Sequence, residues 1–191
     1  MNREFVCICE GGAEQSIFDI LLDNDMLIFS KEQLVGNSLL DSSYRNSKKF
    51  ESDYLNMEHS SKLKIYLVQD KNPKSEKFKF KISKLYEHYI DSITFVITHP
   101  EIEMLLIIAE NQENEYQKYK SRMKPSVFCK RCINKFKNEP IKQQNFIKNY
   151  FKDCSLLVNC LKIYAQKYFN IKDKDKISIY DLIKEDIKKN Y

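Results

Sequence analysis

The sequence predicts an α/β fold with a small, mostly parallel sheet, followed by a helical C-terminal half. Three apolar runs have the length of buried strands, and all three lie in the first hundred residues (5–9, 64–69 and 93–97). A turn with two glycines and an amphipathic helix follow the first run, which gives the first half of a strand–helix–strand unit. We therefore expect an α/β domain over residues 1–112 and a helical extension over residues 113–191 that packs on it.

Helices and one short strand account for much of the remaining sequence. The helix after the first strand is expected over 13–22, a short strand over 26–29 and a helix over 80–89. Four further helices are expected over 101–120, 126–138, 141–169 and 179–189. Ser178 and Asp181 have the spacing of a capping box in front of the last of them.

Composition and charge permit nucleic-acid binding without demanding it. The 191 residues include 32 Lys and Arg against 27 Asp and Glu, which gives a formal net charge of +5. A mild basic excess of this kind is compatible with a nucleic-acid partner. The apolar run near the N-terminus, Phe5 to Cys9, is too short for a signal peptide or a membrane span. We therefore expect a cytoplasmic protein without a membrane segment, whose six cysteines are reduced thiols.

Acidic residues follow all three strands at the point where each strand ends. Glu10 follows the first strand, Asp70 the second, and Glu101 with Glu103 lies just past the third. The carboxyl ends of parallel strands share one edge of a sheet, and ligands bind at that edge. Mg²⁺ prefers oxygen ligands and keeps several waters, so two or three carboxylates and a substrate phosphate suffice to hold it. Taken singly, each residue is better explained as a solvated loop charge, and Glu101 and Glu103 also suit a helix N-terminus.

Three segments resemble the motifs of the Toprim family. Residues 5–14 resemble its opening motif, in which a hydrophobic strand is followed by a glutamate, here Glu10, then a glycine and an acidic residue early in the next helix. Asp70 and Asn72 occupy the place of its Asp-x-Asp motif. Residues 97–106 resemble a strand-to-helix segment found in RloB-like and OLD-type (overcoming lysogenization defect) members.

The resemblance, which covers residues 3 to about 110, implies a Rossmann-like Toprim fold with a metal-dependent, nuclease-like site. Carried over to this sequence, it makes Glu10 a general acid or base, or a metal ligand, and Asp70 a metal ligand with a part in catalysis. Glu103, or failing that Glu101, takes the place of the third carboxylate. The implied cofactor is Mg²⁺ or Mn²⁺, and the implied substrate is a DNA or RNA phosphodiester. Compact members of this kind are often linked to anti-phage defence.

Asn72 departs from the family pattern, which has a second aspartate at this place. As a metal ligand Asn keeps one carbonyl oxygen but loses the charge that attracts Mg²⁺. Two hypotheses therefore stay open. One is an active metal-dependent nuclease, and the other is a catalytically degenerate module that binds nucleic acid or a partner protein, such as an ATPase, another defence subunit or a second copy. A third interpretation, an unrelated α/β domain, predicts that Glu10, Asp70 and Glu103 lie far apart.

Basic residues near the predicted site are candidates for phosphate binding. Lys71 and Lys74 stand in the segment directly after Asp70, and His99 lies at the third strand-to-helix junction. Lysine side chains commonly contact phosphate, so this segment is expected beside the metal. For His99 a helix-capping or buried role is the alternative. Lysines and aromatic residues also interleave over 118–137, a pattern that fits both nucleic-acid binding and ordinary helix packing.

Four cysteines of the C-terminal half raise the question of a zinc site. Two residues separate Cys129 from Cys132, and five separate Cys154 from Cys160. Four thiolates can hold a structural zinc ion, but the second spacing is too wide for the usual knuckle and the first falls in a predicted helix. Small core residues on helices are therefore the preferred interpretation.

Overall fold

The protein is built on a four-stranded parallel sheet. A computed structural model describes residues 4–57, 59, 61–70, 80–169 and 174–191. In this part of the chain the sheet has the order β1-β2-β3-β4, and each neighbouring pair is parallel. The strands are β1 (Glu4–Cys9), β2 (Leu63–Gln69), β3 (Ile90–Ile97) and β4 (Lys176–Ile177). The predicted α/β class and parallel sheet are confirmed.

Eight α-helices lie within the described ranges. They are α1 (Gly12–Asp23), α2 (Ser47–Phe50), α3 (Met104–Ala109), α4 (Glu113–Tyr119), α5 (Pro125–Cys132), α6 (Gln144–Tyr150), α7 (Cys154–Tyr168) and α8 (Glu185–Lys188). None of the helices described is long and apolar enough to cross a membrane.

The two faces of the sheet are buried in two hydrophobic clusters. Side chains alternate along β1, so Cys7 and Cys9 lie in the larger cluster while Val6 and Ile8 lie in the smaller one. The larger cluster includes residues of α1, α3, α5, α6 and α7, so the C-terminal helices share it with the first helix of the chain. Burial on both faces explains why β1 and β2 are almost continuously apolar rather than alternating.

The fourth strand corrects the expectation that strands are confined to the first hundred residues. Lys176 and Ile177 pair in parallel with Phe95 and Val96 of β3. Because β4 has only two residues, it has too few positions to produce a periodic pattern. The predicted strand over 26–29 is reduced to a single antiparallel bridge between Leu27 and Ile183.

The predicted helix over 80–89 is wrong. This segment is made of turns and a short 3₁₀ helix, Glu87–Tyr89, with only Ile82 buried. The backbone N–H of Ser83 donates to the carboxylate of Glu51 at 2.7 Å, and Leu85 is 69% exposed. A tertiary hydrogen bond from Ser83 thus takes the place of a helical one, while Phe80, Ile82 and Tyr86 pack on the smaller cluster from a non-helical backbone.

The long helices predicted after residue 100 are shorter and divided. Asn111, with a φ of 55°, separates α3 from α4, and Asp153 caps α7 by accepting a hydrogen bond from Ser155 N–H. The helix expected from Glu101 begins three residues later, because the turn before it is closed by i to i+3 bonds such as Met104 N–H to Glu101 O. The capping box of Ser178 and Asp181 is confirmed, although it opens a 3₁₀ helix.

Candidate functional site

The carboxyl ends of β1, β2 and β3 meet at one edge of the sheet, where a cleft of about 240 Å³ opens. We call it the acidic cleft, because five carboxyl groups line it. They are Glu10, Glu14, Asp70, Glu101 and Glu103. Glu10 directly follows β1 and Asp70 directly follows β2, while the two later glutamates stand in the turn between β3 and α3. The predicted residues Glu10, Asp70 and Glu103 therefore lie in one cavity. This is the opposite of what the third interpretation, an unrelated domain with scattered carboxylates, predicts.

Glu10 is fixed by backbone and side-chain contacts from β2 and from a distant turn. Its N–H donates to Val68 O at 3.1 Å, and its Oε2 accepts the N–H of Asp70 at 3.1 Å. Arg45, at the end of a 3₁₀ helix, places its guanidinium 2.7 Å from the same oxygen and also donates to Gln69 Oε1. The carboxylate of Glu10 thus already has a cationic partner.

Glu14 lies one helical turn after Glu10 and is buried, with 7% of its surface exposed. Gly11 makes room for it, since a Cβ at Gly11 would come within 2.7 Å of Glu14 Oε2. The hydroxyl of Thr98, itself buried, donates to Oε1 at 3.4 Å. Burial, together with the nearby charges of Glu103, Asp70 and Glu10, raises the pKa of Glu14 from 4.5 to about 7.

Asp70 has an oxygen that lacks a hydrogen-bond partner. Its Oδ1 is buried and accepts no hydrogen bond from any residue that the structure describes. His99 Nδ1 stands 3.6 Å from it, which is an ion-pair distance rather than a hydrogen bond. Burial raises the pKa of Asp70, with Glu101 and Glu10 acting in the same direction and His99 opposing them.

The two glutamates after β3 differ in their environments. Glu103 is almost fully buried, and burial raises the pKa of its carboxyl group although Lys142 lies 3.5 Å away. Burial also acts on Glu101, but its carboxylate accepts the N–H of Ser126 at 3.0 Å and faces Lys142 and Lys124. These contacts outweigh burial and lower the pKa of Glu101.

The donor chemistry of the cleft fits a divalent cation. Hard carboxylate oxygens, an unpartnered buried oxygen on Asp70 and raised pKa values at Asp70 and Glu103 are the features that a bound cation would satisfy. Among the residues described, however, no three His, Cys, Asp or Glu side chains are already grouped around one position. Two carboxylates with waters and a substrate phosphate remain a common arrangement for Mg²⁺.

The remaining predicted site residues are His99 and three residues in the segment after Asp70. Lys71, Asn72 and Lys74 fall outside the described residues. His99 lies beside Asp70 at the edge of the cleft, with 44% of its side chain exposed.

The four cysteines of the C-terminal half are free thiols, two of them buried, one half-buried and one exposed. Cys129 and Cys160 belong to the larger hydrophobic cluster, and Cys154 packs against it. They form no metal-ligand group within the part of the chain that is described.

Three residues in or beside the cleft were not among the predicted site residues, although Glu14 belongs to the opening motif as its acidic residue early in the helix. Glu14 had a visible signal, because it shares the buried helix face of Ile17 and Leu21 at i+3 and i+7. Arg45 and Lys142 had none, since both are basic residues in polar stretches without periodicity and reach the cleft through tertiary structure.

Comparison with known proteins gives no relative for this chain. No protein-family model, no curated protein and no solved structure matches it. The chain is therefore described by its fold, an α/β domain with a parallel sheet and an acidic cleft at the carboxyl edge of that sheet.

Proposed function

We propose that the protein is a metal-dependent phosphodiesterase of the Toprim type that cleaves DNA or RNA. The observation that carries this proposal is the gathering of five carboxyl groups in one cleft at the carboxyl edge of a parallel sheet. Ligand sites of open α/β sheets occur at this edge. Burying several like charges together is unfavourable, and such clusters occur mainly where a bound cation or a reaction requires them.

Asp70 and Glu10 are the residues that would hold Mg²⁺ or Mn²⁺, with Glu103 close by in the cleft. When bound, the ion supplies a Lewis acid that activates water and neutralises charge on the phosphate. Asp70 contributes a buried oxygen without another partner among the described residues. Arg45 holds Glu10 in place and is itself suited to bind a phosphate, because its guanidinium offers a planar pair of donors.

Glu14 is the group best suited to hold a proton near neutral pH. Its pKa of about 7 leaves it partly protonated under physiological conditions, which is the condition for an efficient general acid or base. The buried position, between Thr98 and the other carboxyl groups, keeps bulk water away from it.

The test is cleavage of labelled DNA and RNA, single-stranded and duplex, with Mg²⁺ or Mn²⁺ and with EDTA. We expect metal-dependent cleavage by the wild-type chain and none by Glu10→Ala or Asp70→Ala. The matched control is Glu87→Ala, an exposed acidic residue before β3 at the opposite edge of the sheet. Cleavage that survives in the Glu10 and Asp70 variants, or its absence from the wild-type protein, would overturn the proposal.

A catalytically degenerate module is the second candidate. It is favoured by the ion pair between Glu10 and Arg45, because a carboxylate held at 2.7 Å by a guanidinium is less available to a metal ion. This candidate predicts nucleic-acid or protein binding that EDTA does not change, and no cleavage. In that case Arg45→Ala would leave binding intact and create no activity, whereas a nuclease would lose activity when Arg45 is removed.

A further inference from the structure

A second cavity adjoins the acidic cleft, and we call it the basic groove. Its volume is about 530 Å³. One wall is formed by Tyr116, by residues 120–124, which connect α4 to α5, and by Pro125, the first residue of α5. The other wall is formed by residues from the carboxyl edge of the sheet. Asp70 and Glu101 line both cavities, so a ligand in the groove reaches the proposed metal ligands directly.

Three cationic side chains define the character of the groove. Lys120, Arg122 and Lys124 are exposed and stand within five residues of one another. Lys124 lies 3.8 Å from Glu101, while Lys120 and Arg122 have no ion pair with any other described residue. A groove with uncommitted cations beside a negatively charged cleft produces a steep local field, which attracts an anionic ligand to the positive side.

The wall that carries these cations is held in place by hydrogen bonds. The N–H groups of Arg122 and Met123 both donate to Tyr119 O, at 2.8 and 2.9 Å, and the hydroxyl of Tyr116 donates to Met123 O at 3.3 Å. Tyr116 is buried and anchors the connection in the larger hydrophobic cluster. The cations are therefore presented from a fixed backbone, which lowers the entropy cost of binding.

We infer that the basic groove binds the phosphate backbone of a single-stranded nucleic acid and leads it to the acidic cleft. The inference rests on the proposed function and adds to it the binding surface and the strandedness of the substrate. The groove supplies the attraction that the cleft lacks, because a phosphate approaching the cleft alone meets mostly negative charge. The cations at the groove compensate for that repulsion.

The size of the groove argues for an unpaired strand. Its volume lies in the range of pockets that enclose one ligand of drug size, which is also the size of a nucleotide with its phosphate. A duplex is too wide to enter a cavity of this volume and could only lie across it. The half-exposed ring of His99, on the opposite wall, offers a face on which an unpaired base can stack.

The test measures binding without cleavage. A fluorescein-labelled 12-nucleotide strand, as DNA and as RNA, is titrated with the full chain in EDTA at several salt concentrations. We expect the double variant Lys120→Ala/Arg122→Ala to bind about tenfold more weakly. The slope of log K against log salt should fall by about 1.4, since each phosphate contact on a single strand contributes about 0.7.

The matched control is Lys62→Ala/Lys84→Ala, which removes the same charge from two exposed lysines near the amino ends of β2 and β3. It should bind as the wild-type protein does. Equal binding by the groove variant and this control, no binding by the wild-type chain, or tighter binding of a duplex than of a strand would each overturn the inference.

Failure of the groove and failure of the proposed nuclease give different results. If the nucleic-acid strand binds through the groove in EDTA but no metal produces cleavage, the groove inference is supported and the proposed nuclease function is rejected. If metal-dependent cleavage depends on Asp70 while the groove variant binds and cleaves normally, the nuclease stands and the inference falls.

Discussion

The two edges of the parallel sheet differ in how many carboxyl groups they bring together. At the amino edge, two acidic residues each lie beside a nitrogen-bearing side chain, Glu4 beside His59 at 3.2 Å and Asp91 beside Lys64 at 3.7 Å. At the carboxyl edge, five carboxyl groups share one cleft, and Glu14 has no cation within ion-pair distance among the described residues. The same sheet therefore has separate acidic residues at one edge and a cluster of carboxyl groups at the other.

The carboxyl edge is the place where the fold keeps groups that lower its stability. Burial and mutual repulsion raise the pKa of Glu14, of Asp70 and of Glu103, so each of these groups is costly to ionise in the folded state. Apolar or amide side chains at these places would fold more stably. A ligand of opposite charge removes the cost, and for this reason we assign function to the carboxyl edge.

The largest expected difference between the two edges is in the effect of replacing an aspartate by asparagine on the cleavage rate, and Asp70→Asn is the change at the carboxyl edge. We expect the rate of metal-dependent cleavage to fall by more than about a hundredfold. Mutation of residues that only hydrogen-bond to a metal ligand already lowers metal affinity or activity by about 10- to 100-fold, and Asp70 is proposed as a ligand itself. The rate is measured on a labelled oligonucleotide with Mn²⁺. The matched change at the amino edge, Asp91→Asn, removes the same charge from an exposed residue and should leave the rate unchanged. Equal rates in the two variants would contradict the distinction.

Glu14→Gln is expected to stabilise the protein at alkaline pH. The folded-state pKa of Glu14, about 7, lies above the ordinary 4.5, so the folded protein holds this proton more tightly than the unfolded chain. The associated stability is complete below about pH 4.5 and is lost as pH rises through about 7. A pKa shift of this size corresponds to a change in the free energy of unfolding on the order of 3 kcal/mol between low and high pH.

Urea unfolding of the wild-type and Glu14→Gln chains at pH 5 and pH 8.5 measures this effect. The variant should gain stability relative to the wild type only at the higher pH, where the wild-type carboxylate is ionised. Glu87→Gln, at an exposed position, should change the free energy of unfolding by less than about 0.5 kcal/mol at both values. The same pH dependence in wild type and Glu14→Gln would show that Glu14 does not titrate as described.

Arg45→Ala gives the smallest of the three effects. The pair with Glu10 is partly exposed, so its loss should lower the free energy of unfolding by about 1 kcal/mol in EDTA. If Glu10 holds the metal as proposed, addition of Mn²⁺ should reduce this difference, because the ion would then be a positively charged partner of Glu10 in the variant. Thermal unfolding with and without Mn²⁺ provides the measurement. Lys31→Ala, which breaks the exposed pair with Asp23, should cost less and should not respond to the metal.

The parts of the fold that sequence could predict are those determined by local periodicity. Residues 5–9 are a continuous apolar run and residues 64–69 have an apolar centre, 65–68, and both segments form buried parallel strands. Glu10 and Asp70 were found because they directly end these strands. Parallel pairing alone then brings their side chains to one edge, so no knowledge of the loops was needed.

The parts that sequence could not predict depend on contacts between distant residues. Arg45 reaches Glu10 because the chain before it bridges β1, with Leu40 N–H bonded to Cys7 O. The sequence around Ser83 predicts a helix, but the backbone N–H of Ser83 donates to the carboxylate of Glu51 instead of to a helical carbonyl. Neither interaction has a local sequence signal, and both outweigh local propensity.

Calorimetric titration of the wild-type chain with Mn²⁺ at pH 7.5 would show whether the acidic cleft is a metal site. We predict one bound ion per chain, with binding kept in Asp91→Asn and lost in Asp70→Asn. No binding to the wild-type chain, or equal binding in the two variants, would contradict the assignment of a metal to the carboxyl edge of the sheet.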